Sequence, residues 1–180
     1  MKKTIIICGA IGGLIVTAVM IAAMAGCYKN PEMEHSMLFG YTTMLVAFSL
    51  IFVGVKRARD KFNGGTISFG KAFKIGMMIA LVASTIYVVV WMIDYYFFIP
   101  DFYEKYSAHI ILKMKEAGAT QAELQKKIAE NQSMGKLYRN PLVCAGFTYL
   151  EILPVGLIVS VIAALVLKRK ANPDNVMLAG

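Results

Sequence analysis

Two carboxylates in otherwise apolar stretches are the side chains best placed to do chemistry. Asp94 closes the run 75–93, and Glu151 interrupts the run 142–167. A carboxylate inside a membrane is costly unless it reaches water, a partner or a proton. Two readings follow. In one, both acids anchor their helices at the interface or bond a neighbouring helix. In the other, Asp94, Glu151 and Tyr87 share a polar pocket that holds a cation, a proton or a lipid amine. By helical spacing Asp94 lies on one face with Gly76, Ala80, Ala83 and Tyr87. Small residues let another helix pack closely there. At 1.5 Å per residue, Asp94 stands about 28 Å above Ile75. Counting back about 20 residues from Leu167 places Glu151 within a turn of the same boundary. On this count the two acids lie at similar height near one membrane surface. The midplane then carries only Ser84, Thr85 and Ser160, and no charge.

The three cysteines, Cys8, Cys27 and Cys144, make no disulfide framework and no metal-ligand spacing. Met24, Ala25, Gly26 and Cys27 resemble a lipobox, in which the cysteine is lipidated, with Met24 where Leu, Val or Ile is usual. Against this, the apolar run before Cys27 is longer than a signal peptide's core and reads as a retained span. Cys27 and Cys144 both fall near the outer boundary. A disulfide there requires Cα atoms within about 7 Å. Cys8 reads as an inert thiol. His35 lies on a short polar loop and needs no ligand role. No catalytic, cofactor-binding or metal-binding residue is assigned, and an enzyme is not expected.

These residues are positioned by long apolar stretches. Of 180 residues, 58% are hydrophobic, and the mean hydropathy is +0.61. A bilayer core of about 30 Å is crossed by about 20 apolar residues in a helix. Four stretches qualify, at about 4–26, 37–62, 69–99 and 141–168. The expected fold class is therefore an all-α integral membrane protein with four transmembrane helices and one domain, 1–180. An extracytoplasmic helical hairpin, 101–139, lies between helices three and four. The tail 171–180 reads as disordered.

The formal charge is +8. Its basic residues flank apolar runs instead of clustering on a polar face, which argues for lipid and against nucleic acid. Lys56, Arg57, Arg59, Lys61, Lys71 and Lys74 crowd one loop, and Lys168, Arg169 and Lys170 follow the last span. By the positive-inside rule these segments and the N-terminus are cytoplasmic, and the residues contact lipid headgroups. At the other end of the third helix, Trp91, Tyr95 and Tyr96 suit the headgroup level.

Local punctuation fits this layout. Asn63 and Gly64 stop the second helix, and Ser36 is a candidate cap at its start. Asp101 with Glu104, and Thr120 with Glu123, have the spacing of capping boxes. Gly118 ends the helix between them. Leu124 and Ile128 share a face of the following helix. Tyr103, Tyr106, Ile110, Ile111 and Met114 are apolar enough to dip into the interface. Asn140 and Pro141 open the fourth span. Pro154 and Gly156 can kink it. Gly9, Gly13 and Thr17 form a small-residue stripe on the first.

The segment Gly64, Gly65, Thr66, Ile67, Ser68, Phe69, Gly70, Lys71, Ala72, Phe73, Lys74, Ile75, Gly76 resembles the most recognisable stretch of an uncharacterised bacterial membrane family. That family is catalogued only as a domain of unknown function (DUF4199-like). Asp101, Phe102 and Tyr103, and the run from Leu153 through Gly156 to Lys168, Arg169 and Lys170, fit as well. The resemblance covers most of the chain. It implies a four-helix protein of the bacterial cytoplasmic membrane and carries no activity, cofactor or catalytic residue. The function expected is a structural or accessory subunit of a membrane assembly, with lipid and other membrane subunits, or further copies, as partners. The alternative is a small oligomeric transporter or channel with its polar pocket near Asp94 and Glu151.

Overall fold

A computed structural model describes residues 1–29 and 37–169, apart from the side chains at 27–29 and 37. The elements run α1 (Lys2–Lys29), α2 (Met37–Phe48), α3 (Leu50–Phe62), α4 (Phe69–Ile93), a π-helical turn (Asp94–Phe98), α5 (Phe102–Glu116), α6 (Gln121–Tyr138) and α7 (Pro141–Leu167). Among the described residues there is no strand. The lone bridge pairs Ile67 with Arg169. Four helical stretches are long and apolar enough to cross a membrane: Lys2–Gly26, Leu38–Phe62, Phe69–Phe98 and Pro141–Leu167. Ser36, His35, Lys170 and the tail 171–180 lie outside the described residues.

The second span is α2 and α3 in series. At Ser49 the chain tightens to a three-residue step, Phe52 N–H donating to the Ser49 carbonyl at 3.0 Å. The Ser49 hydroxyl donates to the Val46 carbonyl at 2.6 Å, so the hydroxyl itself is satisfied within the helix. Gly64 and Gly65 take φ of 57° and 78°, which glycine allows without a Cβ clash. They carry the chain round to Ser68, whose hydroxyl accepts from Lys71 N–H at 3.4 Å and caps α4.

Helix packing rests on glycines. A Cβ on Gly76 would lie 2.9 Å from Ser160 Oγ, and one on Gly156 2.8 Å from Ala80 Cβ. These contacts set α7 antiparallel against α4. On the other side of α4, Gly9 abuts Val82 and Gly13 abuts the Ala83 carbonyl and Ile86, so α1 runs parallel to it. Gly54 of α3 meets Ile79 and Cys8. The stripe expected on α1 is thus a packing surface, and α1 contributes Ile5, Cys8, Val16 and Met20 to the core. Around these contacts Ile51, Val55, Ile79 and Ile152 are fully enclosed. The start of α1, the 63–68 turn and the end of α7 share one end of the bundle. The α5–α6 hairpin sits at the other.

The Thr120–Glu123 capping box forms with both arms: Thr120 N–H donates to Glu123 Oε2 at 2.8 Å and Glu123 N–H to Thr120 Oγ1 at 3.4 Å. The expected box at Asp101 does not form. Its backbone is not in the extended cap conformation, no side-chain cap bond is made, and the carboxylate pairs with Lys105 at 2.9 Å instead. Asn140 caps α7 by accepting from Leu142 N–H at 3.0 Å, with Pro141 behind it.

Replacing Gly156 by leucine should destabilise the bundle by about 1–3 kcal/mol, the usual cost of overpacking. Gly146→Ala, where a Cβ meets open space, should be neutral or slightly stabilising. Unfolding of both variants in detergent, followed by circular dichroism, checks this ordering.

Candidate functional site

The two acids do not meet. Gly76 lies against Ser160 and Ala80 against Gly156, so each step up α4 is a step down α7. Extending that pairing sets Glu151 beside Thr85 and Asp94 beside Leu142. Two further contacts agree. Tyr149 Oη donates to Thr85 Oγ1 at 2.9 Å, and Cys144 lies within side-chain hydrogen-bonding reach of Trp91 and Tyr96. Asp94 and Glu151 are therefore offset by about 13 Å along the bundle. Similar height, as counted from each span's own end, is overturned by the interhelical register.

The offset changes what Glu151 is. Its level lies about 16 Å from that of Lys74 and about 9 Å from that of Trp91. The basic and aromatic ends are thus about 25 Å apart along the bundle, and Glu151 stands between them, nearer the aromatic end. The side chain is exposed on the outside of the bundle, on the same face as Leu150, Pro154 and Ile158. Tyr87, by contrast, is buried. Glu151 is near enough to Tyr87 for its charge to act on the phenol, but no hydrogen bond joins them. Asp94 is half-buried at the π-helical turn, where its carbonyl accepts from Ile99 N–H at 2.9 Å.

At the hairpin end an aromatic cluster joins three elements. Tyr138 stacks on Phe147 of α7, centroids 5.8 Å apart, and leans on Tyr95 and Tyr103. Tyr96 Oη donates to the Tyr138 carbonyl at 2.7 Å. Burial pushes the Tyr138 phenol above its usual range, and nearby Cys144 and Glu151 add to that. Inside the hairpin, Gly135 admits the Tyr103 ring, Leu124 is buried, and Asn131 Nδ2 donates to Ser107 Oγ at 2.8 Å. Tyr103 thus faces α6, while Tyr106 stays exposed. Together these elements frame a cavity of about 740 Å³ lined by Tyr95, Tyr96, Glu104, Lys115, Lys136 and Arg139, among others. The sequence pattern gave no sign of Tyr138 as the joint, because aromatic pairing across 40 residues leaves no local signature.

At the basic end, Ile67 N–H donates to the Arg169 carbonyl and Arg169 N–H to the Ile67 carbonyl, both at 2.9 Å. This clip holds the 63–68 turn against the end of α7. Lys71 bonds Asn63 Oδ1, and Arg59 pairs with Asp60 at 2.7 Å. Lys71, Lys168 and Arg169 line a cavity of about 820 Å³ with Asn63 and Thr66. Lys56, Arg57, Lys61 and Lys74 are exposed around the same end and Arg59 is half-buried.

Cys144 is a fully buried free thiol, and Cys8 is also free. The side chain of Cys27, and with it the lipidation and disulfide expectations, lies outside the described residues. Among those residues no group of three His, Cys, Asp or Glu is disposed to hold a metal.

This architecture, an all-helical bundle with four helices long and apolar enough to cross a bilayer, defines the class of multi-pass α-helical membrane proteins. Residues 7–169 match the family described as "Protein of unknown function (DUF4199)", and the chain belongs to that family. No curated protein and no solved structure matches it.

Bonds from the Thr120 backbone and hydroxyl hold the Glu123 carboxyl below its usual value of 4.5. A depressed folded pKa stabilises the start of α6 above pH 4.5 and loses that contribution as pH falls through the lower, folded value. Amide exchange at residues 120–124 should accelerate in that acid range relative to the rest of α6. Glu123→Gln should abolish the pH dependence.

Proposed function

We propose that the protein is a multi-pass protein of the bacterial cytoplasmic membrane. Its termini and the 63–68 turn face the cytoplasm, and the α5–α6 hairpin faces outward. The concentration of lysine and arginine at one end supports this orientation, and the aromatic residues at the other suit a headgroup layer.

Within that membrane it acts as a non-enzymatic structural or accessory subunit of a larger assembly. The observation that carries this reading is the filled interior. Gly9, Gly13, Gly54, Gly76 and Gly156 bring helices into direct contact where a conduit would need space. The single chain is built to pack, with its distinctive groups turned outward. An oligomeric transporter or channel is the second reading, favoured by the mid-depth carboxylate of Glu151. In a ring of copies that group would line the shared centre. The Asp94–Glu151 pocket of that reading does not survive the register, so Glu151 would act without Asp94.

Gentle extraction from native membranes followed by native mass spectrometry tests the choice. A stoichiometric second polypeptide is expected. A pure homo-oligomer, with a ligand-dependent thermal shift lost in Glu151→Gln, would contradict the subunit role and favour transport.

A further inference from the structure

The outward face of α7 carries two polar groups that lipid cannot satisfy. One is Glu151, exposed on the bundle surface and, by its register with α4, about 9 Å inside the level of Trp91. The other follows from Pro154, inside α7. Proline has no N–H, so the carbonyl one turn back, that of Leu150, loses its helical donor. Leu150 is 70% exposed, on the same face. A carboxylate at the bilayer centre costs about 2.5–3.5 kcal/mol on insertion scales, and an unpaired carbonyl adds to it. Both groups accept hydrogen bonds. Glu151 is too short to reach the headgroups from its level. The face therefore asks for a donor, preferably cationic, delivered at mid-depth.

This chain's own neighbouring donors, the phenols of Tyr87 and Tyr138, carry no positive charge. No Lys, Arg or His occurs in 4–26, 38–55, 75–99 or 141–167. A second copy would bring only another Glu151 to the same level. Lipid amines sit at the headgroups, above the site. We propose that the face of α7 around Glu151 docks a transmembrane helix of a different chain carrying Lys or Arg at mid-depth. The basic side chain pairs with Glu151, and one of its protons reaches the Leu150 carbonyl. Gly146, one turn beyond Leu150 and with open space where a Cβ would stand, lets that helix approach. The inference deepens the subunit reading and rests on it: Glu151 is where the assembly is joined.

The test uses full-length protein in phosphatidylcholine vesicles, with resonance energy transfer to two synthetic polyleucine transmembrane peptides. One has a central Arg, the other none. The central-Arg peptide should bind the wild-type chain about tenfold more tightly, a typical size for a polar pair in a membrane. Glu151→Leu should erase the difference while leaving the helical content and melting intact, since the side chain faces outward. Pro154→Ala should weaken binding of the Arg peptide in part. Glu151→Lys should transfer the preference to a peptide with central Glu. Equal binding of the two original peptides to wild type overturns the proposal. So does a preference that survives Glu151→Leu. Energy transfer between labelled copies of the chain, lost in Glu151→Leu, would make the occupant a second copy and equally overturn it. None of these results depends on whether a native subunit co-purifies, so the docking chemistry and the subunit role fail separately.

Discussion

The close approach of α4 and α7 is the constraint on which the rest depends. Gly76 and Gly156 remove the side chains that would hold the helices apart, and Ser160 and Ala80 fill the spaces. The Ser160 hydroxyl disposes of its own proton on the Gly156 carbonyl at 2.7 Å, while the buried Ser84 hydroxyl, two turns along the same face of α4 from Gly76, finds no partner. In lipid there is no hydrophobic drive to bring helices together. Packing between small residues supplies it. Once this seam is fixed, α1 and α3 close around α4, also through glycines. The depth and direction of every group on α7 are then set.

Features written in local sequence were legible in advance. The four spans, the Gly64 turn, the Thr120–Glu123 box and the Asn140–Pro141 opening each depend on a few adjacent residues. Asp101 shows the limit of that logic. The spacing of a capping box was present, but Lys105 stands one turn away and takes the carboxylate. Depth was less legible still. Counting residues from the end of each span treats the spans as if they began at one level. Only the pairing of one helix with another reveals the slip. α7 is apolar on every side, so its sequence offered no periodicity from which to read that Glu151 points outward. The Tyr138 joint was hidden because its partners come from the π-helical turn, α5 and α7.

The two ends of the bundle are built differently from its middle. At the basic end a backbone clip between Ile67 and Arg169 ties the turn to α7. At the hairpin end aromatic rings do the same for α6. Both devices brace α7 at its termini and leave its central outward face uncovered. A rigid helix presenting one carboxylate and one released carbonyl is a preorganised acceptor, because nothing need move for a donor to engage it. On the proposed reading, function lies on the surface of the bundle instead of in its interior.

The depth and exposure of residue 151 decide the account. In a background with Cys8, Cys27 and Cys144 replaced by serine, a nitroxide can be placed at 151 or at 94 and its accessibility to oxygen and to a nickel chelate measured in vesicles. The label at 151 is expected to be open to oxygen and closed to nickel, as for a lipid-facing site deep in the hydrocarbon. The label at 94 should be nickel-accessible near the boundary. Equal nickel access at both positions would restore the two acids to one height. Protection of 151 from both reagents would turn it into the bundle. Either result would contradict the register and the function drawn from it.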